Sequence, residues 1–217
     1  IYLPVEIYTN KEDNTVKLIS LSAQFNLLSL PADEFPVLYP LIGETNFTIR
    51  DNILRDLIKK TVFAASNDEA RPVFTGALLE VVDSEVLMVA TNTHRLALKK
   101  ENLDNITNNI KVTIPSKILN ELARIMVSEI PSPIKITCHH NQISFSFDNI
   151  YIISRIIEGQ FPDYNRVIPP SFTTVVKTNA DLFLDAVERV SLIAKDGDYN
   201  VIKFNFNQDI VIITSNN

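Results

Sequence analysis

The chain has 217 residues, a formal net charge of −6, 46% apolar residues and 21% charged ones, enough for one or two domains with a sizeable core. No run approaches the roughly 18 consecutive apolar residues of a membrane helix, and the single Cys138 excludes an internal disulfide. Four glycines, none spaced as GxGxxG or a Walker loop, exclude the usual amide cradle for nucleotide phosphates, and the acidic balance argues against coating nucleic acid with the whole surface while leaving room for a local basic stripe.

In chain order, an apolar strand ending in a Phe-Pro stop comes first, FNLLSLPADEFP at 25–36. Residues 51–66 then place Leu54, Leu57, Ile58, Thr61, Val62 and Ala65 on one helical stripe, with Arg55 and Lys59 on another. The loop SNDEARPV follows, with Arg71 its only cation. Val86 to Ala90 is an apolar strand. Thr91-Asn92-Thr93 turns the corner of a hairpin, and His94 to Lys99 alternates again, with His94, Leu96 and Leu98 on one face and Arg95, Ala97 and Lys99 on the other. Residues 116–127 repeat the helical stripe, with Ser116 as N-cap after Pro115 and with Lys117 and Arg124 seven apart on one face. The CHH run at 138–140 invites a metal reading, but neighbours on a strand point to opposite faces and no second Cys completes a tetrahedral set. No metal and no cofactor are expected. In QISFSFDNIYIISRII, Ile143, Phe145 and Phe147 alternate with Gln142, Ser144 and Ser146, as in half-buried antiparallel strands. VIPPS marks a linker, and residues 179–194 form a third helix capped by Asn179.

These elements repeat. FNLLSLPADEFP pairs with YIISRIIEGQFP at offset 126, ILRDLIKKTVFAASND with LFLDAVERVSLIAKDG at 129, and VLMVATN with IVIITSN at 124. A half-period echo sets ILRDLI at 53–58 against ILNELA at 118–123, an offset of 65. Each unit of about 125 residues is therefore two copies of helix plus strands. The fold class is α+β, with boundaries near Phe47 and Ser171: a second half-unit over 1–46, a complete unit over 47–170 and a first half-unit over 171–217. The natural chain is expected to be longer at both ends, because half-units alone would expose sheet edges.

Read in order, FAASNDEARPVFTGALLEV, VLMVATNTHRLALKK, VTIPSKILNELARI and EGQFPDYNRVIP resemble the bacterial DNA polymerase III beta subunit, the sliding clamp, across nearly all 217 residues. The resemblance implies the DNA-clamp fold: three similar domains per subunit and two subunits closing a ring around duplex DNA, helices lining the hole and sheets outside. On that reading the chain holds the end of domain 1, all of domain 2 and the start of domain 3.

The resemblance also assigns residues. Arg55, Lys59, Lys117, Arg124, Arg71 and Arg189 would face DNA and meet phosphates without base readout. Phe74, Thr91, Thr93, His94, Arg95, Leu96, Pro162, Arg166, Val167 and Tyr199 would form a pocket between domains 2 and 3. That pocket receives short linear peptides from the polymerase catalytic subunit, the clamp loader and repair proteins. Phe25, Leu27, Leu192 and Ile193 would close the homodimeric ring. The protein would be a non-catalytic, cytoplasmic, nucleoid-associated processivity factor with no membrane contact. The alternative is an α+β enzyme using His94 and Arg95 on an anionic substrate, although no nearby pattern supplies the orienting carboxylate and nucleophile. One departure bears on the pocket. The family commonly carries Asp-Gly where this chain has Asn92-Thr93, and a β-branched Thr resists the positive φ of a two-residue type I′ turn, so a different turn is expected.

Overall fold

A computed structural model describes residues 3–37, 39–43, 45–103, 109–126, 130–194 and 201–215, which fall into two units, 1–162 and 163–217. The first unit begins with three antiparallel strands, β1 (Glu6–Asn10), β2 (Thr15–Ser20) and β3 (Ala23–Leu28), in the order β1-β2-β3. A short 3-10 turn at Ala32–Glu34 follows.

The core of the unit is built from two successive copies of one motif. In the first, β4 (Thr45–Arg50) runs directly into α1 (Asp51–Thr61), followed by β5 (Gly76–Val82), β6 (Glu85–Thr91) and β7 (Leu96–Asn102). In the second, β8 (Ile110–Pro115) runs into α2 (Ser116–Ile125), followed by β9 (Pro133–His139), β10 (Gln142–Phe147) and β11 (Ile150–Arg155). The offset of 65 seen in the helices carries β4 onto β8, since 45 + 65 = 110 and 50 + 65 = 115. Each copy lends its first strand to the other's sheet: the sheets run β7-β6-β5-β8 and β11-β10-β9-β4, antiparallel throughout. This exchange gives both copies one shared core, which includes Phe47, Leu54, Leu57, Leu79, Met88, Leu119, Leu122, Ile136 and Phe145.

Local chemistry explains the elements. Leu54, Leu57, Ile58 and Thr61 form the buried stripe of α1, and the Thr61 hydroxyl donates back to the Leu57 carbonyl at 2.7 Å. Asp51 opens the helix from a buried position where negative charge favours the N-terminal dipole, and its carboxylate accepts from the Ser132 N–H at 3.1 Å. The single helix expected over 51–66 is shorter: the α-helix stops at Thr61 and a 3-10 turn covers Val62–Ala64. The Ser66 N–H then leaves the helical pattern to donate to the Phe74 carbonyl at 2.8 Å. Ser116 does not cap α2. Pro115, extended at φ −55° and ψ 131°, holds that position and Ser116 is the first helical residue. The alternation in β10 is present, with Ile143, Phe145 and Phe147 buried, but Ser144 is buried too at 2% exposure.

Hairpin tips carry the tightest backbone. Asn14, Leu21, Asp83, Ser84, Thr93, His140 and Asp148 all have φ in the left-handed region, whereas only Gly159 does so among the described glycines. Asp83 and Ser84 both take positive φ between β5 and β6, which is what a two-residue hairpin of the correct twist requires.

The second unit contains a short 3-10 turn at Tyr164–Arg166, then α3 (Ala180–Ala194), β12 (Lys203–Phe206) and β13 (Val211–Thr214). Asn179 caps α3 as expected, its side-chain oxygen accepting from the Leu182 N–H at 3.0 Å. β12 and β13 pair antiparallel, and Phe183 stacks on Phe204 with ring centroids 5.7 Å apart.

Candidate functional site

The helices α1 and α2 lie side by side, tied where the Arg55 Nε donates to the Ala123 carbonyl at 3.3 Å. Arg55 is therefore half-buried and occupied by a helix C-terminus, while Lys59, Lys60, Lys117 and Arg124 are exposed. Lys60 pairs with Asp56 at 2.9 Å, and Arg124 with Glu121 at 3.1 Å. Lys59 and Lys117 have no carboxylate partner among the described residues. Lys99 on β7 also reaches Asp56, at 3.8 Å, and its hydrogen bond to Glu101 holds its ammonium above the ordinary lysine range. In the second unit, Arg189 is exposed beside Asp185 and Glu188 around a shallow hollow of about 500 Å³.

The corner between β6 and β7 differs from the sequence expectation. The strand starts at Leu96, so His94 and Arg95 belong to a four-residue loop, Asn92–Arg95, and strand alternation does not apply to them. The turn is indeed not the two-residue type, but Thr93 nonetheless sits at φ +77°. Side-chain oxygens hold it there. Asn92 Oδ1 accepts from the N–H groups of His94 and Arg95, at 3.1 and 3.0 Å. The buried Thr91 Oγ1 accepts from the Thr93 N–H at 3.1 Å and donates to the Arg95 carbonyl at 2.8 Å. The Arg95 Nη2 donates to the Phe63 carbonyl at 2.7 Å, and its guanidinium lies over the Phe63 ring, 5.9 Å from the centroid. Arg95 thus satisfies a carbonyl just past the end of α1, a group that helix ends otherwise leave to solvent.

Phe74 is half-buried in the 3-10 turn Pro72–Thr75 that precedes β5. Arg71 stands over its ring, 5.5 Å from the centroid, and pairs with Asp68 at 3.0 Å. The hydrogen bond from Arg71 holds the Asp68 carboxyl below the usual carboxylate range. Thr91 is buried, Leu96 half-buried, and His94 and Pro162 are exposed. In the second unit, Arg166 pairs with Asp163 at 3.0 Å, Asp163 also accepts from the Asn165 N–H, and Val167 is 67% exposed. Tyr199 lies outside the described residues. Asn92, Phe63 and Asp163 were not among the sequence-derived site residues, yet each fixes one that was. Asn92 and Asp163 had a readable signal, a short side chain that can accept from N–H groups two residues on, and Phe63 had none.

Phe25 and Leu27 on β3, and Leu192 and Ile193 on α3, are 60%, 49%, 67% and 53% exposed, so none is a core side chain in this chain. Burial pushes the Cys138 thiol up to about 11. His139 and His140 are exposed, with ring centroids 4.1 Å apart. No cluster of three metal-ligating side chains occurs among the described residues, and no described helix is long and apolar enough to cross a membrane.

Comparison with known proteins places these features in a family. Residues 48–163 match the central domain of the DNA polymerase III beta subunit, and residues 165–217 match its C-terminal domain. The beta sliding clamp of Staphylococcus aureus is 35% identical over 211 residues, covering 97% of this chain and 55% of the relative. The chain therefore spans about half the length of the curated relatives it matches. A crystal structure of the DNA polymerase sliding clamp from Bacillus subtilis superposes with a TM-score of 0.88 at 35% identity, covering 99% of this chain and 57% of that one. A sliding clamp from Pseudomonas aeruginosa bound to griselimycin matches with a TM-score of 0.85 at 27% identity, covering 96% of this chain and 56% of that one.

Proposed function

Because the chain belongs to the DNA polymerase III beta-subunit family, we infer that the protein containing it is a DNA sliding clamp: a non-catalytic processivity factor that encircles duplex DNA and tethers its partners through short peptides. The observation that carries this reading is the doubled motif with exchanged first strands. It sets two helices next to each other with Lys59 and Lys117 exposed and unpaired among the described residues, and backs them with two antiparallel sheets. A clamp needs such repetition more than it needs a site. DNA presents phosphates at every azimuth, so a ring of similar units with cations on mobile side chains holds it without choosing a sequence.

The domain reading is an end of domain 1 over 1–46, domain 2 over 47–170 and a start of domain 3 over 171–217. Lys59, Lys117, Arg124, Arg55, Arg71 and Arg189 meet the DNA backbone, and of these Arg55 is tied to the Ala123 carbonyl, Arg71 to Asp68 and Arg124 to Glu121. The peptide site takes Phe74, Leu96, Pro162 and Val167 as apolar floor, with Thr91, Thr93, His94, Arg95, Arg166 and Tyr199 at its rim, and serves the polymerase catalytic subunit, the clamp loader and repair proteins. The exposed Phe25, Leu27, Leu192 and Ile193 are suited to closing a homodimeric ring in the cytoplasm, at the nucleoid. A catalytic role for His94 and Arg95 is not favoured, because Arg95 already serves the Phe63 carbonyl and ring. The test is topological: the full-length protein, loaded on nicked circular DNA, is retained during gel filtration and lost when the DNA is linearised. Equal retention on circular and linear DNA would overturn the reading.

A further inference from the structure

A threonine in the left-handed region is rare because its branched Cβ crowds the backbone, and Thr93 stands there at φ +77° in a corner that also carries His94 and Arg95. Four side-chain hydrogen bonds converge on this loop, two made by Thr91 and two by Asn92. The two kinds have different jobs. Thr91 lies at the end of β6, opposite Leu96, and is 8% exposed, so its hydroxyl extends the hairpin ladder. Asn92 follows it and presents one carbonyl oxygen to two successive N–H groups, those of His94 and Arg95. With Thr93 turned left-handed, both N–H groups point at that oxygen.

We propose that Asn92 is a positioning residue for the peptide pocket, its side-chain oxygen enforcing at Thr93 the backbone turn that a glycine would adopt unaided. The proposal rests on the reading of this corner as the pocket rim. Removing the carboxamide leaves the two N–H groups without their acceptor, and only the Thr91 hydroxyl and the Arg95 contacts then oppose relaxation of Thr93 to negative φ. Such relaxation redirects the Cα–Cβ bonds of His94 and Arg95. It also pulls the Arg95 guanidinium away from the Phe63 carbonyl, which it now meets at 2.7 Å. The β6–β7 ladder, paired from Glu85↔Asn102 to Thr91↔Leu96, stays in register. A loss of peptide binding would therefore come from lost direction rather than lost fold.

The experiment is a cycle of Asn92→Ala, Thr93→Gly and the double variant in the full-length protein. The probe is a fluorescent peptide ending in Gln-Leu-Ser-Leu-Phe, read by anisotropy. Asn92→Ala should weaken binding by about tenfold or more, within the range of coupling between contacting residues. Thr93→Gly sets the reference for a pocket without the Thr93 side chain, and the double variant should bind as well as Thr93→Gly does, because glycine takes positive φ freely. Parent-like binding by Asn92→Ala, or a double variant weaker than Thr93→Gly by the factor that separates Asn92→Ala from the parent, would overturn the positioning role. Amide exchange without peptide tests the corner separately. Asn92→Ala should accelerate exchange at the His94 and Arg95 N–H groups, and adding Thr93→Gly should slow it again. If the parent binds no peptide while exchange follows this pattern, the pocket reading fails and Asn92's hold on the backbone stands. If exchange at both sites is unchanged in Asn92→Ala, the proposal fails whatever the peptide does.

Discussion

Replacing Glu121 by Gln should strengthen the grip on duplex DNA, and replacing Lys117 by Ala should weaken it, by similar amounts of opposite sign. The reason lies in how charges pair on the exposed faces of α1 and α2. Lys60 and Arg124 each have a carboxylate within about 3 Å, at 2.9 Å from Asp56 and 3.1 Å from Glu121, whereas Lys59 and Lys117 have none among the described residues. The Arg124 and Glu121 side chains are 77% and 57% exposed, so their pairing contributes at most about 1 kcal/mol to stability and its loss leaves the fold intact. Its effect on a polyanion is larger. Each cation that neutralises a phosphate adds about 0.9 to the slope of log K against log salt concentration. Glu121→Gln frees Arg124 for that work and should steepen the slope by about 0.9, Lys117→Ala should flatten it by about 0.9, and the double variant should return near the parent. Over a fourfold change in salt, one such contact changes affinity about 3.5-fold more than the parent's does. The assay is anisotropy of a short labelled duplex across a potassium chloride series. Unchanged slopes in both variants, or a steeper slope in Lys117→Ala, would refute the placement of this face against DNA.

Gly76→Ala should destabilise the first unit by about 1–3 kcal/mol, a typical overpacking cost. Its new Cβ would stand 2.5 Å from the Ile114 carbonyl oxygen on β8 and 2.7 Å from Ile157 Cδ1, and a paired backbone carbonyl cannot move aside; the urea midpoint reports it. Phe145→Ala removes a fully buried ring from the shared core and should cost about 3–5 kcal/mol, with both motif copies unfolding together in the same transition. Cys138 should react slowly with iodoacetamide in the folded protein and at an ordinary rate in denaturant. Its thiol ionises near 9.0 when free and near 11 here, so the unfolded chain loses the proton first. Stability should therefore be unaffected by this group below pH 9 and fall as pH rises from 9 towards 11, and Cys138→Ser should remove that fall.

What the sequence could reveal depended on whether a residue's role was periodic. The offset of 65 located α1 and α2 because burial of a shared core imposes the same stripe on both copies. Leu54 and Leu119, also 65 apart, are both fully buried. The exchange of first strands was not legible, since period and hydropathy do not say which sheet a strand joins. Ser116 read as a cap by residue type, but Pro115 already holds the extended conformation that a cap position needs, and the helix simply starts one residue later. At the corner, alternation assigned His94 and Arg95 to opposite strand faces. It failed because those two N–H groups donate to the Asn92 side-chain oxygen instead of to a ladder, an interaction invisible to any count of apolar spacing. Arg95 on Phe63 and Arg71 on Phe74 were illegible for a related reason: each is a contact between a charge and a ring that only the folded backbone brings together.

The seven non-glycine residues in left-handed turns among the described residues have a consequence for the chain before it folds. Glycine at a hairpin tip makes the turn easy but leaves the unfolded chain with more conformations to give up. Here Asn, Asp, Ser, Thr, His and Leu occupy those tips, so the unfolded ensemble is narrower and each turn, once closed, holds a conformation its residue prefers less. Closing a hairpin such as β5–β6 through Asp83 and Ser84 therefore depends more on the strands that follow it zipping up than on the tip itself. The order of folding events should be governed by pairing in the sheets, with the tips as the last parts to settle and the first to fray.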